Sequence, residues 1–209
     1  MAIFIPEKII QASLVQGLTT VKADLDLYLS DIFDSDLMGQ EYVDTVKEYL
    51  TGNKVKISQG YPLNDLRIPG WFVVPASIQP SEEFIGNYAT DEDIEAGDTD
   101  AEEINAKLNS FSIRVLTASS NGDVSLFLDA VARYILLLAK EELSEYNLNE
   151  MELSTLDWDP IYQYLPDTLY YRSTIVNCRA MDTWIKRVPL IKSAHLYVTF
   201  NLNETFQEV

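Results

Sequence analysis

The chain has 209 residues, 47% hydrophobic and 11% aromatic, enough to bury a core without covalent staples. Asp and Glu total 33 against 15 Lys and Arg, and the net charge of -18 excludes general affinity for nucleic acid or anionic membranes. One cysteine, Cys178, and one histidine, His195, exclude an intrachain disulfide framework and leave little for a zinc centre or a histidine-based triad.

In chain order, Leu14, Leu18, Val21, Leu25 and Leu29 recur at helical spacing and predict one long amphipathic helix over 6–33. Pro6 suits its first turn, and Glu7 sits at the positive end of its dipole. Gly17 interrupts the stripe. A turn-rich stretch over 31–39 leads to a second helix over 40–50, with Val43, Val46 and Leu50 as its apolar stripe and Gly52 as its stop. Val55 and Ile57 alternate with Lys54, Lys56 and Ser58, a half-buried strand. Residues 61–70 read as a loop or edge. Residues 71–78 are β-prone, but Pro75 pushes them toward a sheet edge or strand end. The run Trp71, Phe72, Val73 and Val74 has no polar alternation. It is either buried on both faces or packed against a neighbouring subunit.

The sharpest change in composition follows. No Lys or Arg occurs between Arg67 and Lys107, and ten acids fall between Ser81 and Glu103. Such like-charge blocks repel, so 87–105 is expected to be a long exposed acidic loop. Alternation returns over 110–117, with Phe111, Ile113 and Val115 on one face and Ser112, Arg114 and Leu116 on the other. Asn121 or Asp123 then caps a helix over 124–146. Consecutive apolar residues from Tyr134 to Leu138 predict that this helix is covered on more than one side. Met151, Leu153 and Thr155 mark a strand that ends at Asp159-Pro160. Residues 169–180 are a long β run with Val176, Cys178 and Ala180 on one face. Pro189 breaks the chain, a last alternating strand covers 193–202, and 203–209 reads as a loose tail. The whole predicts a single α+β domain: a mixed, mainly antiparallel sheet with helices packed on it and a long acidic loop insertion.

Motifs for chemistry are sparse. The chain has no phosphate loop, dinucleotide fingerprint, zincin helix or nucleophile elbow. It has no apolar run of membrane-spanning length, and its first residues lack the pattern of a signal peptide, so a cytoplasmic site of synthesis is expected. His195 reads as a sheet residue and Cys178 as a small core residue. Counting from Asp91, acids occupy positions 1, 3, 5 and 12 of a calcium loop, but Ala96 stands at the glycine position, so a solvated loop is the better reading. Trp158, Tyr162, Tyr164 and Tyr170 form an aromatic-rich stretch that could serve as a carbohydrate or peptide platform, but a core rim or a subunit interface is the better reading.

A strand, the turn Ser120-Asn121-Gly122-Asp123, a long apolar helix, Asp157-Trp158-Asp159-Pro160, and a strand carrying Tyr170-Tyr171-Arg172 toward Asp182-Thr183-Trp184 follow one another. This order, over roughly 40–200, resembles the tail-terminator (tail-completion, neck) proteins of tailed bacteriophages. The resemblance implies a structural virion protein assembled in the host cytoplasm. It implies a hexameric ring that ends the tail tube and joins tail to head while DNA passes through it. Its partners would be further copies of the chain, the tail tube protein and head-side connector proteins. DNA would pass without specific binding, no membrane would be involved, and neither enzymatic activity nor a cofactor is expected. An acidic lumen would keep the duplex from sticking, and Asp91, Glu92, Asp93 and Glu95 are the candidate lumen-lining acids. Trp71, Phe72, Val73, Val74, Tyr170 and Trp184 are the candidate subunit interface. The alternative is an acidic monomeric binding module, such as a DNA mimic or inhibitor.

Overall fold

The computed structural model describes residues 5–61, 68–84, 100–156 and 163–189, with main chain alone for 80–84, 100–106 and 182–189. Its elements are α1 (Pro6–Ala23), α2 (Leu25–Ile32), α3 (Ser35–Met38), α4 (Gln40–Gly52), β1 (Lys56–Gln59), β2 (Gly70–Phe84), β3 (Asp100–Ser119), α5 (Gly122–Leu138), α6 (Lys140–Glu145), β4 (Asn149–Leu156) and β5 (Tyr170–Pro189). The five strands form one mixed sheet in the order β1-β2-β3-β5-β4, with β1 parallel to β2 and β4 antiparallel to β5. The α+β architecture is therefore as expected. Residues 100–105 of the predicted acidic loop are strand, because β3 begins at Asp100; the rest of that expectation, 87–99, lies outside the described residues.

A single domain was the expectation; the chain's contacts divide it into two compact units. One comprises Phe4–Ser81 with Asn109–Ala180 and contains every helix among the described residues. The other includes the described strand segments 82–84, 100–108 and 181–189.

Within the first unit α1, α2, α4, α5 and α6 contribute to a core on one face of the sheet, and α3 packs on α4. Ile10, Leu14, Leu18 and Val21 of α1, Val46 and Leu50 of α4, and Phe127, Leu128, Val131 and Leu136 of α5 share a core with Trp71 and Val73 of β2, Phe111, Ile113 and Val115 of β3, and Val176, Cys178 and Ala180 of β5. A smaller cluster covers the opposite face: Phe72, Val74, Leu116, Ala118 and Leu165. The period-2 alternation of the strands is what sorts these residues to the two faces. Trp71 to Val74 therefore take the first of their two predicted roles, burial on both faces.

Helix boundaries depart from the reading in two places. The helix expected over 6–33 breaks at Asp24, whose φ of -143° and ψ of 73° are not helical and whose carboxylate accepts a bond from the Leu27 amide at 3.2 Å. An aspartate that caps a new helix competes with the backbone bonds that would continue the old one. The helix expected over 124–146 divides at Ala139 into α5 and α6. Of the two predicted caps, Asn121 is the one used, its side-chain oxygen accepting the Asp123 amide at 2.8 Å. Asn121→Ala should cost about 1 kcal/mol, measured as a shift of the urea midpoint with unchanged slope.

Pro75 also finds a physical place. The Pro69 and Val73 carbonyls accept bonds from Lys56 and Gly60, so alternate residues of β2 face β1. Pro75 follows in the same phase, beyond the last β1–β2 pair at Gln59 and Val73. Its missing N–H therefore removes no bond to β1, and proline is tolerated inside a strand that is not at the edge of the sheet.

Candidate assembly surfaces

The sequence-predicted interface residues separate into three groups. Trp71, Phe72, Val73 and Val74 are 0–4% exposed, so their apolar area is used within the chain and they offer no surface to a second subunit; this corrects their assignment to an interface. Tyr170 is 57% exposed at the start of β5 and is available to a partner. The Trp184 side chain and the four candidate lumen acids, Asp91, Glu92, Asp93 and Glu95, lie outside the described residues, as does His195.

Tyr170 lies against the N-terminal turn of α5. A Cβ at Gly122 would meet its ring at 3.4 Å, ordinary contact distance. Leu126, one turn along the same helix, is 37% exposed, and Tyr164 is 71% exposed. The neighbouring Tyr171 turns inward and donates its hydroxyl to the Pro166 carbonyl at 3.0 Å. Burial, then the Asp167 carboxylate, pushes its phenol from the ordinary 10.0 up to about 12. The folded state thus holds this proton more tightly than the unfolded state. The resulting stabilisation is complete below pH 10 and is lost as pH rises through about 12. In a Tyr171→Phe variant, that component of alkaline destabilisation should be missing from denaturation midpoints recorded over this range. An unchanged profile would remove Tyr171 as its source.

The far end of α5 carries a second apolar surface. Leu137 and Leu138 are each 58% exposed, although Ile135 and Leu136 beside them are buried. Cover on more than one side was the expectation, and Leu137 and Leu138 remain open in the single chain. The core takes one stripe of the circumference, and consecutive leucines necessarily point in different directions. These two positions were not selected in the sequence; the signal that marks them is an apolar run wider than one helical stripe. Leu138 borders a cleft between α1 and α5 that Gly17 and Tyr28 also line.

Charged groups tie elements together. Lys47 of α4 pairs with Asp26 of α2, and Arg179 of β5 pairs with Glu150 of β4 at 2.9 Å. Glu150 has φ +52° within a β-bulge between Asn149 and Glu152. The Asp129 carboxylate is fully buried beneath α5, where it accepts the Thr174 hydroxyl at 2.8 Å and lies 3.2 Å from Arg133 Nε. Cys178 is buried in the core, and burial, then Glu7, pushes its thiol up to about 11, which disfavours the reactive thiolate.

A groove of about 520 Å³ separates α4 from the first turns of α5. Tyr42, Tyr49 and Phe127 line it, with Glu48 and Asp123 on its walls. Tyr49 and Phe127 meet edge to face at 5.1 Å between ring centroids. Burial, then Asp123, pushes the Tyr42 phenol up. Among the described residues there is no group of three or more His, Cys, Asp or Glu side chains placed to hold a metal ion, and no helix long and apolar enough to cross a membrane.

No protein-family model matches the chain, and no curated protein matches it.

Proposed function

We propose that the chain is a structural subunit of a bacteriophage neck, a tail terminator that closes into a ring, ends the tail tube and joins it to the head. The observation that carries this reading is the run β3, Asn121-capped α5, β4 and β5, the element order on which the family resemblance rests. Exposed Tyr170, Leu137 and Leu138 support it by supplying apolar surface at both ends of α5 for a neighbouring subunit to cover. A ring needs a heterologous contact, in which two different patches of one subunit meet those of its neighbours. In this reading the protein acts by assembly, without catalysis or cofactor, in the virion. Asp91, Glu92, Asp93 and Glu95 face the DNA path and repel phosphate.

Electron microscopy of the assembled particle, with a label on this chain, tests the proposal. A labelled ring at the head–tail junction is expected. Label confined to isolated monomers on the particle surface, or absent from the particle, would overturn it. Reversing the four acids to Lys tests the lumen assignment separately. Particles should assemble, but DNA delivery should slow in a salt-sensitive way. Failed assembly would instead place the acids at a docking contact.

A further inference from the structure

The groove between α4 and α5 has a structural origin and a chemistry of its own. Helix α4 packs mainly on α2 and α3, whereas α5 packs on α1 and α2, and the groove lies between α4 and α5. The floor between them is apolar, with Val46 and Phe127 at 1% and 3% exposure. Tyr42 and Tyr49 present aromatic surface, and the Tyr42 hydroxyl is buried with no hydrogen-bond partner among the described groups. Both ionisable walls are acidic, Glu48 on α4 and Asp123 on α5. Among the described residues no Lys or Arg lines the groove; the Lys22 ammonium donates to the Asn53 carbonyl at its end, at 2.9 Å.

We propose that this groove docks an arginine side chain of a partner protein, with its methylene stem on the apolar floor and its guanidinium between Glu48 and Asp123. Aromatic rings accept a guanidinium on their faces, and carboxylates accept its N–H donors. Charge complementarity selects the occupant. The two acidic walls attract a basic side chain, and on a chain of net charge -18 a basic segment of a different protein is its favoured source. An anionic ligand is disfavoured at this helix N-terminus, because Asp123 already occupies the first turn of α5. The inference rests on the groove alone and stands or falls independently of the ring.

The test titrates the ¹⁵N-labelled full chain with the pentapeptide Ac-Ala-Leu-Arg-Leu-Ala-NH₂ and with its citrulline counterpart, which keeps the shape and removes the charge. The arginine peptide should shift the amides of Tyr49, Asp123 and Phe127, and the citrulline peptide should bind at least several-fold more weakly. Glu48→Gln and Asp123→Asn should each weaken arginine-peptide binding on the order of fivefold, the scale of one partly exposed ion pair. Thr45→Arg places a guanidinium on the groove wall and should block the peptide, while far-ultraviolet circular dichroism reports that the chain remains folded. Equal binding of the two peptides, or no groove shifts at millimolar concentration, would overturn the proposal. So would a dimer seen by light scattering whose dissociation on dilution shifts the groove amides, because its occupant would then be a second copy.

Discussion

Gly17→Ala should lower the melting temperature, against the usual sign for this substitution in a helix. In an open helical position alanine is favoured over glycine by about 1 kcal/mol. Here a Cβ would lie 2.1 Å from Ile135 Cγ2, inside the contact distance of any two carbon atoms. Ile135 is 2% exposed and packed in the core, so its methyl cannot swing into solvent. Helix α1 must then move off α5, or Ile135 must leave its rotamer. Forced overpacking typically costs about 1–3 kcal/mol, which for a chain of this length corresponds to roughly 2–12 °C. The double-mutant cycle with Ile135→Ala identifies the cause. That substitution alone should cost about 2–5 kcal/mol through the cavity it leaves. With alanine at position 17 the new methyl fills part of the cavity, so the two losses should not add. Additive losses would show that the close approach is not the reason for glycine. Because α1 packs on α5, whose end carries Leu137 and Leu138, Gly17→Ala should also reduce self-association if that surface assembles the ring.

That close approach shows what was legible in the sequence and what was not. Gly17 stood out only as an interruption of a leucine stripe, since spacing along one helix says nothing of how near another helix comes. The stripes themselves were reliable. Val43, Val46 and Leu50 mark the buried side of α4, and Phe111, Ile113 and Val115 the core side of β3, because burial on one face forces the period. The break at Asp24 was not legible from hydrophobicity, because the apolar spacing runs on to Leu29 across it; the aspartate itself, a capping residue, was the available signal. The acidic segment 100–105 was read as loop from its charge, yet its backbone is strand: pairing in the sheet outweighs unfavourable composition. Trp71 to Val74 were correctly read as lacking a polar face, but periodicity alone could not separate two-sided burial within the chain from burial against a subunit. The α4–α5 groove is a tertiary feature. Glu48 and Asp123 are far apart in sequence, and only the packing of α4 and α5 in the fold brings both to the lining of one groove.

Asp129→Ala should be among the most destabilising single changes in the chain, about 3 kcal/mol or more in urea denaturation at neutral pH. Asp129 is 0% exposed on the face of α5 that meets the sheet, where ordinary packing would place an apolar residue. Its carboxylate links two elements: Oδ1 accepts the Thr174 hydroxyl of β5 at 2.8 Å, and Oδ2 lies 3.2 Å from Arg133 Nε one helical turn away. The second contact is close in distance but poorly aligned as a hydrogen bond, so charge attraction is its main content. Removing the carboxylate leaves Thr174, itself 0% exposed, without this acceptor and strips Arg133 of its counter-charge. The Arg133 side chain is 37% exposed, so it can turn partly into water, which holds the cost near the lower end for a broken buried pair. Asp129→Asn keeps the shape and an acceptor for Thr174 but removes the charge, so it should cost less than alanine. Thr174→Val should cost about 1–2 kcal/mol, the scale of one hydrogen bond to a charged group with its donor deleted. Combining Thr174→Val with Asp129→Ala should add little to Asp129→Ala alone, because the bond is already gone. If Asp129→Ala changes stability by less than about 0.5 kcal/mol, the range of an ordinary surface substitution, the carboxylate does not anchor α5 to the sheet.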